Sequence, residues 1–163
     1  MCIRDRHSKG GGEAILSASK ISAISGLITL NTVNSFLRYT EKQIKVWKER
    51  GFFEFPNSRT KQIFKLYDSY LQDIIENHNL LFDIKNSLIK LNIPVLLIHG
   101  EEDLTVKPVE SEGLFRIANK EKVQICLIKS AGHTFNIEHP MTETTKALNN
   151  VLNKSLEFIK NIN

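Results

Sequence analysis

The sequence predicts an α/β fold, a mostly parallel sheet with helices on both faces. Three observations predict it. Pro94-Val-Leu-Leu-Ile-His-Gly100 is an uninterrupted apolar run that stops at a glycine. Val123-Gln-Ile-Cys-Leu-Ile-Lys129 is a second such run. Strands buried on both faces show no polar alternation, which is the mark of a central parallel sheet. Finally, these runs alternate with stretches of helical spacing, the order that builds strand–helix–strand units.

Taken in order, residues 1–6 (MCIRDR) are charged, patternless and not strand-like. Residues 14–19 continue from Gly10-Gly11-Gly12 and read as a helix, with the glycines allowing close packing at its start. Residues 25–33 are β-branched and apolar and read as a buried strand. Residues 35–50 carry Phe36, Ile44 and Trp47 among charges, an amphipathic helix ending at Gly51. FFEF and TKQIFKL are two short strands around a Pro56-Asn57 turn. Residues 67–77 place Tyr70, Leu71, Ile74 and Ile75 on one helical face. Residues 83–91 form a short helix with Asp83 as its N-cap. Residues 109–119 and 141–162 complete the helices. The span 34–92 is too long for a simple crossover and reads as an insertion between strands.

The totals bound the class. A chain of 163 residues, 41% hydrophobic and 25% charged, fits one soluble globular domain. The net charge of +4 is scattered among acidic residues, with no Lys/Arg run that would track a nucleic acid. No apolar run is long enough to span a membrane. Cys2 and Cys126 offer no disulfide framework, and Cys126 reads as a small core residue. The histidines His7, His99, His133 and His139 have no metal-ligand spacing, so no metal and no cofactor is expected. HSKGGG lacks the Gly-Lys-Ser/Thr order of a phosphate loop.

Ligands of parallel α/β sheets sit at the carboxyl ends of the strands. Ser8, Asp103 and His133 fall at or just past such ends, in the order Ser, Asp, His. Arg6-His7-Ser8-Lys9-Gly10, the stretch IPVLLIHGEEDLTVKPVES and the loop AGHTF together resemble the α/β-hydrolase family. The first matches that family's Gly-x-Ser-x-Gly elbow except that Arg6 replaces the first glycine. The resemblance covers nearly all of residues 7–163, but only the C-terminal half of the family's domain. It implies that Ser8 is the nucleophile, His133 the base and Asp103 the acid, with the Lys9 backbone N–H in the oxyanion hole. It also implies that residues 34–92 are a lid-like insertion. Glu101 and Glu102 are rivals for the acid, and His139 for the base. His7 is expected to pack beneath the elbow, and His99 to be structural. Trp47, Phe52, Phe53, Phe55 and Tyr67 either line an acyl pocket or form the insertion's own small core.

MCIRDR resembles the translated adapter leader found at the edge of assembled reads. Residues 1–6 are therefore expected to be non-native, leaving the strand near residue 25 with an unpaired apolar edge and the chain truncated, aggregation-prone and poorly active. The expected activity is a serine hydrolase cleaving a carboxylic ester, thioester or amide of a small molecule. The alternatives are a peptidase of prolyl-oligopeptidase type acting on peptides, and a non-catalytic hydrolase-like binding domain. The cytoplasm is the default location.

Overall fold

The computed structural model describes residues 2–56, 61–138 and 140–162. The expected turn residues at 57–60 and the rival base His139 lie outside them. The chain divides into two compact units, one made of residues up to 34 and from 84 onward, the other of Ser35–Asp83.

Among the described residues, the first unit holds four strands, β1 (Ile3–His7), β2 (Gly26–Leu30), β5 (Val95–Gly100) and β6 (Val123–Ile128), in the order β1-β2-β5-β6. All three pairings are parallel. His7 lies opposite Leu30, Leu30 opposite Ile98, and Gly100 opposite Ile128. The carboxyl ends of all four strands thus finish along one border of the sheet. Side chains of a strand alternate between faces. Ile28, Leu96, Ile98 and Ile128 share a core with Ala147, Val151 and Phe158 of α6 (Lys146–Asn161). The opposite-parity His99 bonds Ser111 of α5 (Val109–Ile117), so α5 covers the other face. Helices α1 (Lys9–Ala18) and α4 (Ile84–Lys90) pack against each other in the same unit.

Several expectations need correction. Residues 3–7 are a strand, and β2 is a paired strand rather than an open edge. Pairing is a property of the backbone, and an edge strand tolerates the charges of Asp5 and Arg6 that hid it from pattern reading. β2 ends at Leu30 rather than running to residue 33, because Asn31 turns into the left-handed region at φ 49°. The glycines at 10–12 lie inside α1, not before it. A Cβ on Gly11 would come within 2.7 Å of Thr32 Cβ, and closer to its hydroxyl, so glycine lets α1 press against the turn after β2. β6 is the other edge of the sheet, and Cys126 packs against the core from a half-buried position rather than within it. Partial burial still pushes its thiol pKa up. The terminal helix begins at Lys146, where Thr145 accepts the Leu148 N–H at 2.9 Å, not at residue 141.

The second unit contains α2 (Glu41–Arg50), the antiparallel hairpin β3 (Phe52–Pro56) with β4 (Ile63–Tyr67), and α3 (Asp68–Asn77). α2 starts six residues later than its pattern suggests, because Thr40 and Gln43 form a reciprocal capping box at 3.2 and 2.9 Å. Trp47 is fully buried and stacks on Phe53 at 5.2 Å and on Tyr70 at 6.3 Å, with Tyr39 edge-on at 5.0 Å. Trp47 and Phe53 therefore belong to this unit's own core. Phe55 and Tyr67 are exposed, and Phe52 lies under the Arg50 and Lys65 cations.

Candidate active site

The site is built at the border where the strands end. Ser8 occupies the single residue between β1 and α1, at φ 57° and ψ −126°. That conformation costs a non-glycine residue on the order of 1–3 kcal/mol and persists only where the surroundings impose it. Here Ser8 N–H donates to the Leu30 carbonyl at 2.8 Å, and the Ser8 carbonyl accepts the Gly11 N–H at 3.0 Å. The turn is thus anchored to the next strand and to its own helix. Arg6, where the family's elbow has glycine, is an ordinary strand residue opposite Thr29. A Cβ on Gly10 would stand an ordinary 3.6 Å from Arg6 Cβ, so the Arg6 side chain lies against the first turn of α1 without requiring glycine there.

Asp103 follows β5 and has a fully buried side chain. Its Oδ1 accepts the N–H groups of Thr105 at 2.8 Å and Val106 at 2.9 Å, and its Oδ2 accepts Nδ1–H of His133 at 2.7 Å. Three donors satisfy a carboxylate that burial would otherwise penalise heavily. Of the two acidic rivals, Glu101 and Glu102 are exposed. Asp103 caps this tight loop, not α5, whose N-cap is Pro108.

His133 comes from the loop after β6. Its side chain is 20% exposed. With Nδ1–H held by Asp103, Nε2 carries the lone pair, the tautomer a general base needs. The loop itself is stitched by Asn136, which accepts the Gly132 N–H at 2.9 Å and donates to the Ser130 carbonyl at 2.7 Å. Ser130, Phe135 and Asn136 all have positive φ, so this loop holds three strained residues to present one imidazole.

Asp103 and His133 are thus brought into direct contact, and Ser8 is linked to them through its neighbour. His7 does not pack beneath the turn as expected. It is exposed, its ring centroid lies 4.5 Å from that of His133, and its Nε2–H donates to the His133 carbonyl at 2.7 Å. Lys9 is the first residue of α1, the turn of a helix whose N–H groups point outward. Sequence reading missed Asn31, which is fully buried and whose Nδ2 also donates to the His133 carbonyl at 2.7 Å. The available signal was a polar residue at the end of the apolar run GLITL.

His99 is structural, as the sequence suggested. It is fully buried, with Nε2–H donating to the Val106 carbonyl at 2.8 Å and Nδ1 accepting Ser111 Oγ–H at 2.6 Å. Its Nε2 also stands 3.5 Å from Asp103 Oδ2. Burial lowers its pKa from 6.5 and outweighs the Val106 bond and the nearby Asp103 and Glu110, which raise it. The folded state therefore keeps His99 neutral where the unfolded chain already binds a proton. Stability present above pH 6.5 should fall as pH drops below that value and level off below the folded pKa. Urea midpoints measured between neutral and mildly acidic pH check this. His99→Gln, which keeps a donor toward Val106, should show a shallower loss than the wild type.

Among the described residues, no helix is long and apolar enough to cross a membrane, and no group of three or more His, Cys, Asp or Glu could hold a metal ion.

No known family's sequence profile matches the chain. Over 57 residues it is 35% identical to a Mycoplasma genitalium protein named esterase/lipase 1, a stretch that is 35% of this chain and 21% of that protein. Solved structures match far more of it. Mouse alpha/beta hydrolase domain-containing protein 10 superposes with TM-score 0.76 at 18% identity, over 99% of this chain and 62% of that one. The Penicillium alpha/beta hydrolase GrgF gives 0.72 at 12% identity over 98% and 63%. Est1E from Butyrivibrio proteoclasticus gives 0.65 at 18% identity over 97% and 60%. The chain thus spans about three fifths of the length of these structures. With its parallel four-stranded sheet and superpositions that cover nearly all of it, this chain has the α/β-hydrolase fold.

Proposed function

We propose that the chain carries the acyl-transfer chemistry of a serine hydrolase acting on carboxylic esters. The observation that carries this is the Asp103–His133 hydrogen bond of 2.7 Å, made by a fully buried carboxylate at the ends of two adjacent strands. The strained Ser8 turn and the partial match to the Mycoplasma genitalium protein named esterase/lipase 1 support it. In this reading His133 Nε2 takes the Ser8 hydroxyl proton as Oγ attacks the ester carbonyl. The tetrahedral oxyanion is met by the Lys9 N–H, and Asp103 stabilises the imidazolium. His133 then returns the proton to the leaving alkoxide. A water, activated by the same imidazole, releases the acid and restores Ser8. By the family resemblance a second oxyanion donor comes from a loop before the elbow.

A second reading, a hydrolase-like binding domain without catalysis, rests on Arg6 in place of the elbow's first glycine. A fluorophosphonate probe separates the two. The hydrolase reading expects covalent labelling of the folded chain that disappears in Ser8→Ala. Labelling that persists in Ser8→Ala, or a folded wild-type chain that is never labelled, overturns it.

A further inference from the structure

The His133 carbonyl oxygen accepts two side-chain hydrogen bonds, from Asn31 Nδ2 and from His7 Nε2, each at 2.7 Å. Asn31 Nδ2 also lies 3.4 Å from the Gly132 carbonyl. The other end of the same amide is used as well, since Asn31 Oδ1 accepts the Gly100 N–H at 2.8 Å. The Asn31 backbone N–H donates to the Ile98 carbonyl at 2.8 Å. One fully buried side chain therefore joins the end of the strand that delivers Asp103 to the loop that delivers His133. Few residues could do this. The position has φ 49°, which asparagine tolerates better than most side chains. The two contacts need one acceptor and one donor on a single planar group, which an amide has and a carboxylate lacks.

We propose that Asn31 is the positioning residue of the Asp103–His133 pair, with His7 as the second tether on the same carbonyl. This rests on reading that pair as the acid and base of the proposed reaction. Fixing the His133 backbone from two sides fixes where its ring, and so Nε2, can stand. Tying Gly100 to the same amide fixes the acid relative to it. His7 immediately precedes Ser8, so the second tether also couples the base's loop to the nucleophile's turn.

The test uses two readouts on the full chain. One is the low-field proton resonance of His133 Nδ1–H, identified by its loss in His133→Ala. The other is fluorophosphonate labelling, resolved into a maximal rate and a half-saturating concentration across pH. Asn31→Gly keeps the backbone conformation and removes both contacts. It should broaden or abolish the resonance and slow maximal labelling about 100-fold, the scale of a small misplacement of a reacting group. The half-saturating concentration should stay within about twofold, since no probe contact is lost. Asn31→Asp, which keeps only the acceptor, should fall with it. His7→Phe, at an exposed position where folding is not at risk, should slow labelling about tenfold, and His7→Gln should recover most of that loss. If Asn31→Gly does not fold, His7→Phe carries the test. A resonance and a rate unchanged in the folded variants overturn the proposal, as does a wild-type chain without the resonance. A wild-type chain that shows the resonance, loses it in Asn31→Gly and is never labelled upholds the positioning role and refutes the hydrolase reading.

Discussion

Replacing Asp103 by asparagine is expected to slow labelling of Ser8 by a fluorophosphonate about ten-thousand-fold at neutral pH, with little loss of stability. On the proposed reading of Ser8 as nucleophile and His133 as base, the hydrogen bonds lead to this outcome. Oδ1 accepts the N–H groups of Thr105 and Val106, so in the Asp103→Asn variant the amide carbonyl oxygen must stay on that side. The amide NH2 then takes the place of Oδ2 and faces His133 Nδ1, where it can only donate. The imidazole must turn its lone pair to Nδ1 and carry its proton on Nε2. That tautomer cannot accept a proton from Ser8. Asp103→Glu keeps the charge but lengthens the side chain within a buried loop, and should lose both rate and stability. A loss of less than tenfold in Asp103→Asn would mean that His133 is not the base.

Gly100→Ala should give the largest loss of stability among single-methyl changes in the sheet, about 3 kcal/mol, the upper part of the range for overpacking. The added Cβ would meet the carbonyl carbon of Ala131 at 2.8 Å and the Gly132 carbonyl oxygen at 2.9 Å, and the Ala131 oxygen closer still. All of these are backbone atoms, so no rotamer change relieves the clash. The loop is pinned there by the Glu101 N–H on Ile128 and the Glu102 N–H on Ala131, each at 3.0 Å. Relief must move residues 131–132, and with them His133. Urea denaturation should therefore show a lower midpoint, and labelling should slow in parallel. Gly113→Ala is the contrast, since its Cβ would meet only Asn34 Nδ2 at an ordinary 3.7 Å. Inside α5 the change should stabilise by up to about 1 kcal/mol.

The sheet's centre was legible in the sequence because burial on both faces leaves a purely apolar run, as in Val95–Gly100. Its borders were not. β1 owes its strand to the backbone ladder with β2, and its side chains carry no alternation that would announce it. β6 reads as buried but pairs on one side only, so Gln124 is exposed and Cys126 half-covered. Helix starts moved to wherever a threonine cap stood, at Thr40 and Thr145, because the cap satisfies first-turn N–H groups that apolar spacing does not reveal. Within the site, Asp103 and His133 stood out by family resemblance and strand-end position. Asn31 did not, since its partners lie roughly 70 and 100 positions away and no local pattern encodes them.

The separation of β2 from β5 along the chain has a consequence for biosynthesis. Leu30 pairs with Ile98, and the whole of Ser35–Asp83 intervenes. At roughly 5–20 residues per second, several seconds pass between the emergence of the apolar GLITL segment and that of its partner strand. During that interval Ser35–Asp83 can bury Trp47 and form its own hairpin, while β2 waits with one ladder edge open. Late closure of so long a loop makes sheet assembly slow relative to helix formation. Chaperone demand on the nascent chain should therefore peak between the emergence of Leu30 and that of Ile98, and slower translation across that stretch should lengthen the exposure.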